Sequence, residues 1–470
     1  MIFAPRFEHA IALASSRLAR AALSLILSGS AIVAGAGDAA ASSGAASAPG
    51  KPIFSALLSG SSTVHIATDP EQNIVVAGSF EGTLDLGAVR LISEDESDIF
   101  IAKLDHEGAL LWAERVGGAG TQHGLAVATD PLGNVIVTGS SRAAVTAGSP
   151  SPSSQIFAAK LDAFGQTVWM NTFGPMHEGI GLGAAVNEKG DVTIVGRLSG
   201  VLWSDDFSLK SSQDTPNGDA FVLQLAPNGR VLWGRALGGL GEQYAGAVAA
   251  TPGGGVVVSG LFSGVLDIDG QQHTSTARPS AFVAAFDNDG YVRFSQNFGP
   301  SLTDIPRVAA DPSGDIVVAG TFQRRIEIGG ETRISAGEDD VFAVKLDELG
   351  APIFVRSFGD RTSQQLGGLA VDAKGEVVLA MSSLGNVDLG AGPIEGHGGY
   401  DLALARLDAL GDPLWGQVFG DHQDQLASEI AIDAAGNIVL TGQLAGSIDF
   451  GGGALQSTSG FDAFLGSLQP

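Results

Sequence analysis

Cysteine is absent from all 470 residues. That one absence excludes disulfides, thiolate metal sites, a cysteine nucleophile and a lipid-modified cysteine. Basic residues are scarce: 25 Lys and Arg stand against 51 Asp and Glu, for a formal charge of -26. No Lys/Arg cluster is present to meet phosphates, which excludes nucleic acid as a partner class. After residue 36 no apolar run approaches the ~20 residues that cross a bilayer as a helix. There is no Gly-x-Ser-x-Gly elbow, no His-Glu-x-x-His and no phosphate loop. What is abundant is glycine, with 67 residues, and hydrophobic residues at 44%, enough for a real core and against wholesale disorder.

The first residues carry Arg6, Arg17 and Arg20 with one acid, Glu8, followed by an apolar run from Ala21 to Ala36. A basic start, an apolar centre and small residues at Ala34 and Ala36 spell a secretory signal, so residues 1–36 are expected to be cleaved. Ala39, Ala40 and Ala41 offer later cut sites. With two Gly and three Ser the run is too short for a membrane anchor. Residues 37–50, almost all Ala, Ser and Gly, read as a flexible linker. The expectation is an exported, monomeric protein with no membrane span after cleavage; periplasm, cell surface and medium stay open.

Repeats decide the fold. The phrase Asp98-Ile-Phe-Ile-Ala-Lys-Leu-Asp-His-Glu-Gly-Ala-Leu-Leu-Trp112 returns at 155–169, 219–233, 280–294, 340–354 and 401–415, then as a stub at 462–468. A second phrase, running from Leu125 to Gly139, occurs seven times. Its turns start at Asp69, Asp130, Asn187, Thr251, Asp311, Asp372 and Asp433, at intervals of 61, 57, 64, 60, 61 and 61 residues. Seven units account for residues 51–470. Each phrase holds two apolar, β-branched runs of strand length joined by Asp-x-x-Gly, the chemistry of a tight hairpin. A third phrase, Phe80-Glu-Gly-Thr-Leu-Asp-Leu-Gly87, lies between the second and third strands and is missing from the second unit.

Four strands repeated seven times predict an all-β, seven-bladed β-propeller of antiparallel sheets. Residues 52–60 match an isolated fourth strand, and the last repeat stops after a third strand at 462–468. The N-terminal strand is therefore expected to complete the C-terminal sheet and close the ring.

The phrases Asp-x-Phe-Val-Ala-Lys-Leu-Asp-x-x-Gly-x-x-Leu-Trp and Ala-Val-Asp-x-x-Gly-Asn-Val-Val-Val-Thr-Gly resemble the SBBP-type bacterial β-propeller repeat over residues 51–470. The resemblance implies a secreted or surface-attached protein and carries over no catalytic residues. A weaker likeness to quinoprotein propellers rests on Leu-Asp-x-x-x-Gly-x-x-x-Trp.

Repetition separates scaffold from function: a residue recurring in register is scaffold, and a singular polar residue is a site candidate. Trp112, Trp169, Trp233 and Trp415, with Phe54, Phe294 and Phe354 in the same slot, are expected between blades. Lys103, Lys160, Lys345 and Arg406 are expected to cover the blade face. Asp98, Asp219, Asp340, Asp401 and Asp462 are expected to bond nearby backbone N–H groups. Loops from strand two to three and from strand four to the next blade share one face, the expected working surface. It carries His123, His177, His273, His397 and His422, and carboxylates that include Asp205, Asp206, Asp304 and Asp424. Glu94, Asp95 and Glu96, with Glu338, Asp339 and Asp340 in the equivalent loop, are candidate calcium ligands. No other cofactor is expected. The functional expectation is a non-catalytic scaffold that binds a surface protein, a glycan or a basic partner. The alternative is a glycosidase-, lyase- or quinoprotein-like enzyme with a carboxylate site on the same face.

Overall fold

The computed structural model describes residues 50–58, 64–94, 96–142, 154–174, 177–204, 207–212, 218–299, 301–458 and 460–470, with the backbone alone at 276–278. The expected signal, the expected linker up to residue 49, and Asp95, Asp205 and Asp206 lie outside the described residues. Seven four-stranded antiparallel sheets form the blades of a β-propeller. In blade 1 the strands run outward from the axis in chain order: Val64–Thr68, Ile74–Phe80, Asp98–Leu104 and Leu110–Val116. Blade 7 is made of Gln425–Ile432, Ile438–Leu444 and Asp462–Leu468, with Pro52–Leu58 as its fourth strand.

Closure goes further than pairing two strands. In blade 1 the hairpin between the third and fourth strands is held by Asp105 N–H to Ala109 O (2.9 Å) and Gly108 N–H to Asp105 O (3.0 Å). The same two bonds recur across the chain ends, Gln469 N–H to Lys51 O (2.7 Å) and Gly50 N–H to Gln469 O (3.1 Å). Gly50 has a φ of 75°, matching the left-handed glycine of the intact hairpin. The ends thus rebuild a turn that no peptide bond joins.

The Asp of each tight turn works as its chemistry demands. The Asp105 carboxylate accepts from the N–H groups of Glu107 (2.9 Å) and Ala109 (2.8 Å), bracing the loop that glycine closes. Seven buried apolar clusters hold the molecule together, one in each seam between neighbouring blades. A seam widens toward the rim, and in six of them the inserted third phrase fills it. Examples are Leu84 and Leu86 between blades 7 and 1, and Ile326 and Ile328 between blades 4 and 5. Among the described residues, the seam between blades 1 and 2 holds no such pair. Met170 on the fourth strand of blade 2 is 49% exposed there, whereas Val355, its equivalent in blade 5, is 2% exposed.

The strand-four aromatics are inter-blade contacts, as expected. Trp112 Nε1 donates to Ala163 O (2.9 Å) and Trp169 Nε1 to Pro227 O (3.0 Å), both in the following blade. Six of the seven rings lie on the hairpin glycine of the next blade, Trp415 being the exception; a Cβ added to Gly411 would meet the Phe354 ring at 2.7 Å. The recurring cations require a correction. Lys103, Lys160, Lys345 and Arg406 do not cover the blade face but are buried, at 2–4% exposure. They pair with the first-turn acids Asp69 (2.7 Å), Asp130 (2.8 Å), Asp311 (2.7 Å) and Asp372 (2.6 Å). The reason is local: both tight turns emerge at the same end of the blade, where a long cation on strand three reaches the acid of the first turn. Burial pushes Asp130 and Asp311 up, but the lysine hydrogen bonds and the turn N–H groups outweigh it and hold both below the ordinary range.

Two stability outcomes follow. Deleting residues 51–58 removes a whole strand and exposes an edge, and should lower Tm far more than deleting residues 37–49; equal effects would refute closure. Gly411 and Gly314 both have positive φ, but only Gly411 faces a ring. Gly314→Ala should cost about 1–2 kcal/mol in backbone strain, and Gly411→Ala roughly 1–3 kcal/mol beyond that, read from denaturant unfolding.

Candidate functional site

The acidic loops of the expected working face are tied up by the chain itself. Glu94 and Asp98 share Arg115, at 2.6 and 2.8 Å. Glu96 accepts from the Thr121 hydroxyl (2.8 Å). Asp339 is buried and accepts from Gln323 (2.8 Å), Ser363 (3.0 Å) and Gln365 (3.3 Å), while Glu338 is exposed. Asp340 accepts from the Ala336 N–H (2.8 Å). Among the described residues no three His, Asp or Glu side chains gather as a metal ion would require. His123, His177 and His422 are exposed, His273 meets Ser295 (2.8 Å), and His397 flanks Asp401.

The aspartates opening strand three cap the preceding loop, as expected. Asp98, Asp340, Asp401 and Asp462 each accept an N–H from four residues upstream, at 2.6–2.8 Å. The second oxygen of Asp98, Asp340 and Asp401 is buried without a hydrogen bond among the described residues, with His397 Nδ1 3.7 Å from that of Asp401. It lies against the glycine after strand four; a Cβ on Gly420 would fall 2.0 Å from Asp401 Oδ1. Burial pushes Asp219, Asp340 and Asp401 above the ordinary carboxylate range, against the N–H groups that favour the charged form. A raised folded value means that the folded state holds the proton more tightly. The contribution to stability is therefore complete below the unfolded value and is lost as pH rises through the folded one. Asp401→Asn keeps the cap and stays neutral, so its stability relative to wild type should rise between pH 4 and pH 7. Asp421 is the opposite case: burial raises it, but bonds from Gln423, Ser447 and Gln425 outweigh that and hold it low. Asp421→Asn should instead lose ground as pH rises to about 4, the ordinary carboxylate value, and stay level above it; parallel pH curves for both variants would refute the assignment.

The axial channel holds what the loops do not. The first strands of the blades line it, and one position, four residues before each first turn, falls in register around the ring. It is occupied by His65, Ala126, Gly183, Ala247, Arg307, Gly368 and Glu429. Four blades place a small residue there. At Gly368 this is forced, because a Cβ would meet Ile430 N of the next blade at 2.8 Å. Three blades place a charged or ionisable group instead. His65 Nδ1 meets Glu429 Oε1 at 2.7 Å, and the Ile66 N–H donates to Glu429 Oε2 at 2.9 Å, so the pair stitches blade 7 to blade 1. Nε2 of His65 is buried and has no partner among the described residues. Burial pushes Glu429 up, but His65, the Arg307 charge and the Ile66 N–H together outweigh it and hold the carboxylate below its ordinary range.

Asp304 stands just before Arg307 in blade 5. It accepts from the Thr321 N–H (3.3 Å) and hydroxyl (3.0 Å). Burial pushes it up to about 6, against the Thr321 bonds and the Arg307 charge, with Asp339 pushing the same way as burial. Of these channel groups, Asp304 alone is among the candidates that the repeat pattern singles out. A signal for His65, Arg307 and Glu429 is nonetheless present in the sequence: each breaks an otherwise small position at a constant offset from the turn.

No family model matches the chain. An uncharacterized WD repeat-containing protein of Acanthamoeba polyphaga mimivirus is 29% identical over 158 residues, 28% of this chain. The chain spans 11% of the length of that relative. Among solved structures, the Neurospora crassa Pan2 WD40 domain aligns at TM-score 0.37 and 11% identity, over 75% of this chain and 90% of that one. Sqt1 of Chaetomium thermophilum aligns at TM-score 0.40 and 12% identity, over 85% of this chain and 82% of that one. A puromycin hydrolase aligns at TM-score 0.45 and 12% identity, over 84% of this chain and 53% of that one. The chain is thus similar to repeat propellers, and these similarities say nothing of its ligand.

Proposed function

We propose that the chain is an exported, non-catalytic binding propeller of the SBBP type, which holds its ligand in the axial channel and at the variable-loop mouth around it. One observation carries this reading. The repeat is largely kept where it packs a seam or braces a turn, and one ring position in the channel is broken by His65, Arg307 and Glu429. The His65–Glu429 pair ties blade 7 to blade 1, but no such tie accounts for Arg307, whereas a ligand without sevenfold symmetry does. Export rests on the basic and apolar pattern of residues 1–36.

The test uses the chain's own alternatives. A variant carrying His65→Ala, Arg307→Ala and Glu429→Ala adopts the residue of blades 2 and 4, so its circular dichroism should match wild type. Ligands found for wild type by glycan array and small-molecule thermal shift should no longer bind it. Binding that survives would place the site elsewhere. Residues 1–50 fused to alkaline phosphatase should give activity outside the cytoplasm, and its absence there would refute export.

A second, enzymatic reading has one observation in its favour. Asp304 is pushed up to about 6 while Glu429 is held low, and both feel Arg307. Carboxyls displaced in opposite directions suit an acid and a base. Polysaccharide cleavage that is abolished by Asp304→Asn would establish it.

A further inference from the structure

Arg307 is set apart from the other arginines. Of the described arginines that are not exposed, Arg115, Arg197, Arg235, Arg333, Arg356 and Arg406 each meet a carboxylate or a backbone carbonyl. Arg307 is half-buried, and its guanidinium makes no hydrogen bond or ion pair among the described residues. The two carboxylates whose charge it feels are committed elsewhere, Asp304 to Thr321 and Glu429 to His65 and Ile66. A guanidinium offers five N–H groups in a planar fork and accepts nothing. Left without a partner at the channel, such a fork is completed by a group presenting two acceptor oxygens. Its neighbours in the ring, Ala247 in blade 4 and Gly368 in blade 6, are small, so neither supplies it with a partner.

Resting on the channel reading above, we propose that Arg307 is the anchor for a small ligand carrying a single carboxylate or sulfate group, taken up in the channel through its two oxygens. A polyanion is disfavoured by the formal charge of -26, whose field repels it. One compact anion needs only the unpaired guanidinium, since the two nearby carboxylates are turned to other donors. Asp304 tunes that charge: it faces Arg307, Thr321 and Asp339, and its protonation removes a negative charge beside the guanidinium. The site should therefore hold an anion more tightly in mild acid.

Sodium glucuronate and sodium sulfate serve as probes of the two head groups. Glucose is the neutral control, with ionic strength matched by sodium chloride, in calorimetry and thermal shift on the intact chain. Wild type should show saturable binding of at least one anion and none of glucose, about tenfold tighter at pH 5.0 than at pH 7.5. Arg307→Ala should abolish it with circular dichroism unchanged; Arg307→Gln is a second variant of similar reach. Asp304→Asn should flatten the pH dependence while keeping the binding. Whichever probe binds identifies the head group. No saturable binding of either anion, or binding that survives Arg307→Ala and Arg307→Gln, overturns the proposal. If a neutral ligand instead binds wild type and not the triple alanine variant, the channel reading stands and the anion inference falls. If glucuronate or sulfate binds the triple variant as well as wild type, both fall.

Discussion

A ring of flat-ended sheets leaves a wedge between neighbours that is narrow at the axis and wide at the rim, and the whole molecule is organised around filling it. Apolar surface left facing such a gap loses both dispersion contacts and hydrophobic burial. Three devices fill it at increasing radius. Small side chains bring the first strands together near the axis, with backbone approaching to within 2.8 Å of the space above Gly368. Apolar residues of strands two and three fill the middle. At the outer strand an aromatic ring lies on a hairpin glycine, and the inserted phrase fills the rim. The hairpin glycines serve two ends at once, turning the chain and leaving room for the ring of the preceding blade.

The same constraint explains the buried charges. Lys103 and its equivalents stand at the end of the blade where two turns crowd together, and each finds an acid whose position the turn itself dictates. Breaking one such buried pair costs about 3–5 kcal/mol, because the remaining charge stays buried. Arg307, His65 and Glu429 are different in kind. They occur in one blade each, at a radius where scaffold logic calls for alanine or glycine, and they form one unsymmetric patch in a nearly symmetric channel. Asp304 joins them, and its burial makes it hold its proton more tightly than an ordinary carboxyl.

Much of this architecture is legible in the residues alone. Turn chemistry at Asp105 and Gly108, strand-length apolar runs and a period near 60 residues imply blades, and the unmatched strands at 52–60 and 462–468 imply closure. The capping role of Asp98 and Asp401 and the inter-blade place of Trp112 and Trp169 follow from recurrence. The lysines mislead, because recurrence shows that a residue is scaffold without showing what it touches. Glu94, Glu96, Asp339 and Asp340 look available as a cluster of charge; each is engaged by a donor elsewhere in the chain, such as Ser363 for Asp339.

The sequence by itself determined the period, the strand content, the turn residues and the count of blades, since these depend on local φ/ψ preferences and on hydrophobic spacing within a few residues. Only the tertiary structure decided which residues share the axis, that Glu429 reaches His65 across 364 positions of chain, and that Arg307 has no partner among the described residues. Those facts depend on bringing seven separate first strands into one register around a common channel. That juxtaposition arises from ring closure and seam packing, and it is not a property of any single repeat.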